Sequence, residues 1–253
     1  MPELSVVIIS FNEEKNIGRC LESVQEIADE IVVVDSFSTD RTEEICKTYQ
    51  VRFIKHAFKG HIEQKNWAME QAAHQHVLSL DADEALSDEL KNNIARLKQN
   101  WESDGYYFNR LTNYCGKWIK HTGWYPDRKL RLWDKTKGHW GGKNPHDKFI
   151  MKKGSTQEYL KGDLLHYSFY SVTQHMDQIN KFSSIAAKAR FDAGRKTSLL
   201  NMFISPAWKF LKAFIFKAGF LDGFYGFVIS VNSAHSTFLK HVKLRELRKN
   251  NPV

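Results

Sequence analysis

Residues 77–84 read VLSLDADE, and this stretch decides the fold because a short apolar strand runs directly into three carboxylates. Three similar apolar segments precede it, and segments of helical periodicity lie between them. The predicted strands cover residues 4–10, 31–35, 52–54 and 76–80. Strands that alternate with helices predict a parallel sheet, and ligands bind at the carboxyl ends of such strands. The polar residues that follow each strand are therefore the candidate site.

The chain changes character after residue 100. Residues 101–170 mix aromatic, glycine and basic residues and contain short β-like pieces. A helical pattern begins after Ser171, with one apolar stripe: Val172, Met176, Ile179, Phe182, Ala186 and Ala189. We therefore expect an α/β domain over residues 1–170, with halves 1–100 and 101–170, and a helical extension over residues 171–253.

The composition is that of an ordinary globular chain. Its 253 residues are 42% apolar and 26% charged, and a chain of this length can bury a full core without disulfides or structural metals. Disordered tails, collagen-like fibres and disulfide-stapled miniproteins are therefore excluded. The three cysteines lie far apart without zinc-site spacing, which indicates free thiols in a reducing compartment. We expect no signal peptide, and no apolar stretch long enough for a transmembrane helix.

The net charge of +8 is distributed unevenly along the chain. Residues 1–100 carry 11 basic and 18 acidic side chains, a balance of −7. Residues 101–160 carry 12 and 6, and residues 161–253 carry 14 and 5, so their balances are +6 and +9. The basic later residues predict an anionic partner. Charge alone allows nucleic acid, an anionic membrane or a phosphorylated substrate.

Asp81 and Asp83 stand two residues apart at the end of the fourth predicted strand. Carboxylates with this spacing can face one divalent ion. Hard oxygen ligands suit Mg²⁺ or Mn²⁺, which commonly bridge protein carboxylates to phosphates. The alternative is a solvated acidic turn, and the position at the ligand-binding edge of the sheet favours the metal site.

The junction after the first strand, Ser10-Phe11-Asn12-Glu13-Glu14, has no glycine. A dinucleotide or P-loop site needs a glycine-rich turn here, so the junction argues against both. Asn12 and Glu13 are candidates to bond a base or a ribose, although capping of the next helix also explains Asn12. Asp35, after the second strand, is a candidate of the same kind. Lys65 is a candidate to face a phosphate, with a solvated lysine as the alternative.

Together these segments resemble the family 2 glycosyltransferases of the GT-A fold, which has a Rossmann-like mixed α/β sheet. The matching runs are LSVVIISFNEEKNIGRCLESV, IVVVDSFSTDRT and LSLDADE. The resemblance implies a nucleotide-sugar donor with a divalent metal, Mg²⁺ or Mn²⁺, on its diphosphate. It implies metal ligands at Asp81 and Asp83 and nucleotide-sugar contacts at Ser10, Asn12, Glu13, Asp35, Lys65 and Asp81.

The second half is similar to the β-1,4 glucosyltransferases of bacterial lipopolysaccharide core assembly. The residues that carry this similarity are DRKLRLW at 127–133, NPHD at 144–147, HYS at 166–168, QINKFS at 178–183 and GFLDG at 219–223. It implies transfer of glucose from a UDP-sugar, with inversion, to a lipid-linked core oligosaccharide. Such an acceptor implies a cytoplasmic enzyme held on the inner membrane.

Inverting transfer needs a base for the acceptor hydroxyl. We assign the base to Asp147, with Glu84 as the second candidate. The alternative for Asp147 is a surface carboxylate paired with Lys143 or Lys148.

Cationic groups must also stabilise the leaving diphosphate. Arg128 and Arg131 are candidates to hold it, or to hold an acceptor phosphate, with a solvated edge strand as the alternative. His166 is a candidate third metal ligand or diphosphate contact, with a purely structural histidine as the alternative.

The segment PAWKFLKAFIFKAGFL at residues 206–221 combines an aromatic-rich arc with lysines. This pattern predicts an amphipathic helix in the interface of an anionic membrane, and a core-packing helix with a solvated lysine edge is the alternative. The candidate membrane contacts are Trp208, Lys209, Lys212, Phe216 and Lys217.

Two competing hypotheses remain at this point. One is a family 2 transferase that acts on another glycan or lipid. The other is a nucleic-acid- or glycan-binding protein without catalysis. The sequence has no RNP-like, zinc-finger or helix-turn-helix signature, and acidic strand ends repel phosphate unless a metal is present. We therefore expect no nucleic-acid partner.

Overall fold

The computed structural model describes residues 2–143 and 146–250, apart from the side chains of Lys143 and His146. Asn144 and Pro145, which belong to the NPHD run, lie outside the described residues. The chain divides into two compact units. The first unit comprises Met1–Arg110 and Asp127–Tyr167, and the second comprises Leu111–Pro126 and Ser168–Val253. Residues 111–126 thus belong with the C-terminal helices, where the sequence-based division placed them in the first domain.

The strands and helices alternate through the first hundred residues, as predicted. The strands are β1 (Leu4–Ser10), β2 (Glu30–Asp35), β3 (Arg52–Lys55), β4 (His76–Asp81), β5 (Glu84–Leu86), β6 (Gly105–Tyr114), β7 (Lys117–Ile119), β8 (Asp127–Asp134), β9 (Gly138–Lys143), β10 (His146–Met151) and β11 (Gln157–Phe169). The helices are α1 (Ile17–Val24), α2 (Thr42–Cys46), α3 (His61–Glu70), α4 (Asp88–Leu97), α5 (Val172–Asp192), α6 (Leu199–Leu211) and α7 (Gly223–Asn250).

A mixed sheet in the order β3-β2-β1-β4-β8-β6-β11-β5 organises the first unit. β1 runs parallel to β2 and β4, and β2 to β3, which confirms the predicted parallel strands. β8 is antiparallel to β4 and β6, so the sheet is mixed, as the fold class required. The register sets Ser10 beside Asp35 and Ile9 beside Asp81. The polar ends of β1, β2 and β4 therefore share one edge.

Two apolar layers cover the parallel strands. Leu4, Val6 and Ile8 of β1 lie in one layer with residues of α1 and α4, and Val7 lies in the other with residues of α3. Burial of each large aliphatic side chain contributes about 2 kcal/mol. Cover on both faces explains why these strands are continuous apolar runs, and it leaves the strand ends to present polar side chains.

The predicted helix cap at Asn12 is wrong. α1 begins at Ile17, and Asn12 precedes it in the left-handed backbone region, with a φ of 55°. Asn tolerates this conformation better than most residues, because its short side chain bonds locally. Its Oδ1 accepts a hydrogen bond from the Thr39 N–H at 2.8 Å. Asn12 therefore ties two loops at the sheet edge instead of starting a helix.

The single amphipathic helix predicted over residues 206–221 is also wrong. α6 ends at Leu211, a π-helical segment covers Lys212–Phe216, and a 3₁₀ turn covers Gly219–Asp222. The turn is fastened by Asp222, whose carboxylate accepts from the His121 backbone N–H at 2.8 Å. Gly226 must lack a Cβ atom, because one there would overlap the carbonyl oxygen of Gly219. Part of the GFLDG run is thus explained by packing in the second unit.

Among the described residues, one helical window, Leu199–Phe216, is long and apolar enough to cross a membrane by length and composition. Its mean hydropathy is 1.2, and 6% of it is buried. This corrects the expectation that no stretch reaches that length. The window contains Lys209 and Lys212, and a window of this kind is weak evidence for a membrane span.

The apolar stripe of α5 is not the buried face of this helix, except at Ile179. The buried positions are His175, Ile179, Ser183 and Ala187. Val172, Met176, Phe182 and Ala189 of the predicted stripe are exposed, and Ala186 is half-buried. The reason lies on α7, where the Lys243 ammonium donates to the Ser183 hydroxyl at 2.8 Å and to the Asn180 carbonyl at 2.8 Å. Small and polar residues therefore face α7.

His175 is buried in the second unit among Tyr114, Trp124 and Phe169. Its Nδ1 lies 3.1 Å from the Asn232 amide nitrogen and 3.0 Å from the Tyr114 hydroxyl. Because an amide nitrogen only donates, Nδ1 must be the acceptor and the ring neutral. Burial lowers the pKa of His175 to about 4.

We expect this histidine to make the protein less stable in mild acid. The unfolded chain binds a proton near pH 6.5 and the folded chain only near pH 4, so stability is full above pH 6.5 and falls as the pH drops toward 4. From pH 7.5 to pH 5 the loss from this one group is about 2 kcal/mol. Urea unfolding at both pH values measures it. His175→Phe should show a smaller loss, and His235→Phe, at a half-buried position on α7, is the control. An equal pH dependence in wild type and His175→Phe would contradict this assignment.

Candidate functional site

The first part of the site is a loop ordered by Asp35. Asp35 is fully buried, and its carboxylate accepts hydrogen bonds from the Ser10 hydroxyl at 3.0 Å and the Ser38 backbone N–H at 2.7 Å. The exposed Asn12 is tied to the same loop through Thr39. The structure therefore brings together Ser10, Asn12 and Asp35, as the sequence predicted. The carboxylate oxygens of Asp35, however, accept hydrogen bonds from Ser10 and from the loop at Ser38.

Glu13 lies in acidic surroundings next to this loop. Burial raises the pKa of Glu13 to about 7, and the Asn16 amide, which donates to its carboxylate at 2.7 Å, acts in the opposite direction. The charges of Asp83, Asp40 and Asp81 raise this pKa further. A negative field of this kind attracts a cation, and a carboxyl group with a raised pKa is typical of functional sites.

The centre of the site is the buried ammonium group of Lys65, on α3. Its Nζ lies 2.9 Å from Asp81 Oδ1 and 2.8 Å from Asp147 Oδ2, so one cation serves two carboxylates. The same Nζ lies 4.6 Å from the ring centroid of Trp140. Asp147 is thus paired with Lys65, 82 positions away in the chain, and Lys148 is exposed and has no acidic partner among the described residues.

Arg131 reaches the site because β8 carries a bulge. Tyr106 of β6 pairs with Leu132 of β8, but the next residue, Tyr107, pairs with Leu130. Arg131 is therefore an extra residue on β8, without a partner in the register. A bulge of this kind re-aims a side chain, and bulges are common beside active sites.

The guanidinium group of Arg131 joins two acidic residues of the DADE segment. It donates to Asp81 Oδ2 at 2.9 Å and to Glu84 Oε1 at 2.7 Å. Glu84 is fully buried and also accepts from the Asp81 backbone N–H at 3.0 Å. The carboxylate of Glu84 therefore holds Asp81 and Arg131 in place, and it is shielded from an acceptor.

Asp81 stays ionised at every working pH. Burial by itself would raise its pKa, but the charges of Lys65 and Arg131 outweigh burial and hold the pKa of Asp81 well below its ordinary value. A carboxylate with so low a pKa is a poor proton acceptor. Asp81 is therefore suited to binding cations, and proton transfer must involve another group.

Asp83 and His166 form a second pair at this edge. β5 is antiparallel to β11, so His166 lies opposite Glu84 and its Nε2 lies 3.1 Å from Asp83 Oδ2. His166 Nδ1 is buried without a hydrogen-bond partner, and no lysine or arginine pairs with Asp83 in the described part of the chain. A carboxylate and an imidazole free of other charged partners fit a divalent metal that keeps several ligands from water or phosphate.

The three predicted metal ligands are not all assembled. Asp83 and His166 are together, whereas Asp81 is turned to Lys65 and Arg131. Within residues 2–143 and 146–250, no three His, Cys, Asp or Glu side chains form a metal-binding group. The protein alone therefore supplies two candidate ligands.

A cavity of about 560 Å³ in the first unit lies against the Lys65–Asp81–Asp147 cluster and Arg131. It is lined by Lys65, Asp81, Arg128, Arg131, Trp140 and Asp147, among others. The size is that of a small-molecule site. The Asp147 carboxylate is about one-seventh exposed, so it is accessible from the cavity while bonded to Lys65.

Sequence reasoning missed several of the residues that shape this cavity. Trp140, Arg110 and Lys148 all line it. Trp140 is held by Asn66 of α3, whose amide donates to the Trp140 carbonyl at 2.8 Å and accepts from its N–H at 2.9 Å. In the sequence, Asn66 stands directly after Lys65 in a run of three polar residues, Gln64-Lys65-Asn66. Nothing in the sequence shows which strand this run contacts.

Comparison with known proteins gives consistent matches. The family model described as Glycosyl transferase family 2 matches residues 5–160. An uncharacterized glycosyltransferase of Rickettsia typhi is 34% identical over 257 residues, covering 98% of this chain and 88% of the relative. The lipopolysaccharide core biosynthesis glycosyltransferase LpsC of Rhizobium meliloti is 28% identical, covering 95% and 91%.

A solved structure also matches over nearly the full length. It is that of S. aureus TarS 1–349 in complex with UDP, with a TM-score of 0.47 and 16% identity, covering 98% of this chain and 92% of that one.

We expect Lys65→Met to destabilise the protein strongly. The substitution leaves the carboxylates of Asp81 and Asp147 without their shared cation, and breaking a buried pair of this kind costs about 3 kcal/mol. Urea unfolding at pH 7.5 measures the change. Lys47→Met is the control, because its pair with Glu43 on α2 is largely exposed and contributes far less to stability than a buried pair. Equal losses in the two variants would contradict a central role for Lys65.

Proposed function

The chain belongs to glycosyl transferase family 2, and from this premise we propose that it transfers glucose from UDP-glucose, with inversion, to a lipopolysaccharide or lipooligosaccharide core. The observation that carries the proposal is the position of Asp147. Its carboxylate lies in the same cavity as Asp81, with Lys65 between them. An inverting transferase needs the base within reach of the acceptor hydroxyl, on the face of the donor sugar opposite the leaving diphosphate, so the base and the donor site must share one cavity.

Asp147 is the proposed base. Its carboxylate takes the proton of the acceptor hydroxyl while that oxygen attacks the anomeric carbon and the bond to the diphosphate breaks. Asp81 is too weak a base, and Glu84 is buried in bonds to Arg131 and the Asp81 N–H. These observations favour Asp147 over Glu84.

The nucleotide-sugar is proposed to lie along the edge formed by β1, β2 and β4. Ser10 and Asp35 order the loop that faces the nucleoside, and Asn12 and Glu13 lie beside it. A second set of proposed donor contacts lies in the cavity: Lys65, Asp81 and Arg131. Arg128, the remaining donor contact predicted from the sequence, is proposed to face the acceptor instead. The cations of this set are placed to neutralise charge that develops on the leaving group.

Mg²⁺ or Mn²⁺ is the proposed cofactor. Asp83 and His166 would hold it, whereas Asp81, the other ligand predicted from the sequence, is bonded to Lys65 and Arg131. When bound, the ion would neutralise the diphosphate. The acidic surroundings of Glu13 support a cation at this place.

The second unit is proposed to hold the enzyme on the anionic cytoplasmic face of the inner membrane. Many large apolar side chains on α6, the π-helical segment, the 3₁₀ turn and the start of α7 are between 45% and 72% exposed, and monomeric soluble proteins rarely expose so much apolar surface together. They include Leu200, Phe203, Trp208, Phe216, Leu221 and Phe224. Lys209, Lys212 and Lys217 are exposed among them, so apolar insertion and attraction to anionic lipid act together.

We expect Asp147→Asn to lower glucose transfer by at least about 100-fold, because the amide cannot take a proton. UDP release in the presence of acceptor lipid measures the rate, and calorimetry with UDP and Mn²⁺ measures donor-site affinity, which should stay within about twofold. Asp83→Asn is the contrasting variant, which should lose the Mn²⁺-dependent part of that affinity. Asp192→Asn, at an exposed pair with Lys188, is the control. Transfer that survives in Asp147→Asn would place the base elsewhere.

We expect the protein to sediment with vesicles that contain anionic lipid, and less so as salt is raised. Replacement of Lys209, Lys212 and Lys217 by Glu should weaken binding at least tenfold. The control has the same charge change on exposed lysines of the first unit: Lys59, Lys152 and Lys153. Equal sedimentation with neutral and anionic vesicles would count against the electrostatic part of this proposal.

A further inference from the structure

We propose that Arg128 and Lys148 form a binding site for an anionic group of the acceptor, a phosphate ester or a carboxylate, beside Asp147. The inference rests on the proposed function, since it concerns the acceptor of that reaction. It goes further by assigning a negative charge to the acceptor sugar and by naming the residues that bind the charged group.

The charge balance of the cavity is the first argument. Six cationic side chains line it, and four of them have a carboxylate partner. The paired ones are Lys65 with Asp81 and Asp147, Arg131 with Asp81 and Glu84, Arg110 with Asp127, and Lys129 with Asp127. Arg128 and Lys148 have no acidic partner within the part of the chain that the structure describes. Because four acids face six cations, the cavity carries a surplus of two positive charges.

Arg128 is held without a carboxylate. Its guanidinium carbon lies 5.7 Å from the ring centroid of Tyr107 and 5.9 Å from that of Tyr159. The Tyr159 hydroxyl accepts from the Asn109 amide at 3.0 Å. Aromatic rings place the guanidinium without occupying its N–H donors, which remain for a planar or tetrahedral oxyanion.

Two buried donors supply the second, independent argument. Arg131 and Trp140 line the cavity and are each 3% exposed, and neither Arg131 Nε nor Trp140 Nε1 has a hydrogen-bond partner. A buried donor without a partner costs about 1–3 kcal/mol, so such groups are normally satisfied by a ligand or water. Both groups are donors only, which matches an acceptor-rich anion.

The position separates this site from the donor diphosphate. The cations that contact Asp81 are already matched by acids, and the surplus lies on β8 and on β10, where Lys148 directly follows the proposed base. Arg128, Lys148 and Asp147 line the same cavity, so a hydroxyl held at Asp147 shares that cavity with the unmatched cations. The acceptor sugar is expected to carry its negative charge close to the attacked hydroxyl.

Ligand-observed NMR titrations on the full chain, with saturating UDP and Mn²⁺, test the proposal. The probes are glucose 6-phosphate, glucuronate and glucose. Both anions should bind at least tenfold more tightly than glucose, and the ratio between them shows whether phosphate or carboxylate is preferred.

Arg128→Gln combined with Lys148→Gln should abolish the advantage of the anions. Trp140→Phe keeps an aromatic ring but removes the indole N–H donor, so it should weaken anion binding several-fold. Lys152→Gln combined with Lys153→Gln, at exposed positions after β10, is the control.

Three results would overturn the proposal: no preference for the anions over glucose, equal anion binding in the Arg128/Lys148 variant, or loss of anion binding when UDP is added. The last result would assign the surplus charge to the donor diphosphate. Arg128 and Lys148 are both exposed, and a thermal melt establishes that the variant is folded. Failure of UDP to bind would count against the proposed function. The same titrations without UDP would still measure the affinity of the Arg128/Lys148 site for the anionic probes.

Discussion

One buried ammonium group, that of Lys65, holds the candidate site together. It lies between Asp81 at the end of a parallel strand and Asp147 on a separate β-hairpin. Without the Lys65 ammonium between them, these two carboxylates would repel each other. Because burying an unpaired charge costs free energy, the site requires this cation. Arg131 extends the same network to Glu84, so five charged side chains form one network at the end of β4. The remaining features of the cavity are arranged around this network.

The sequence predicted the parallel half of the fold well, because continuous apolar runs of residues report burial on both faces. It also placed Ser10, Asn12, Asp35 and Asp81 at one edge, since the carboxyl ends of parallel strands coincide there. The GT-A class and the membership of family 2 are confirmed by the sheet order and the family match.

The sequence could not predict contacts that depend on tertiary register. The bulge that turns Arg131 toward Asp81 has no local signal, and the Lys65–Asp147 pair joins residues far apart in the chain. The stripe on α5 failed for a related reason. Periodicity locates the apolar face of a helix. In the structure, however, α7 packs against the small, polar face of α5 around Ser183, where Lys243 of α7 donates a hydrogen bond. Periodicity also could not show that α6 ends at Leu211, where a π-helical segment begins.

The uneven charge of the chain has a physical explanation in the first unit. Several acids of residues 1–100 follow the strand ends. Burial raises the pKa of Glu13, the charges of Asp83, Asp40 and Asp81 raise it further, and this negative field favours a cation. Residues 101–160 supply Arg110, Arg128, Lys129, Arg131 and Lys148 to the cavity. Part of this positive charge neutralises the acids, and the part that remains faces the cavity. An acidic segment that attracts a metal and a basic segment that attracts an anion can thus meet in one site, because each limits the net charge that the other leaves buried.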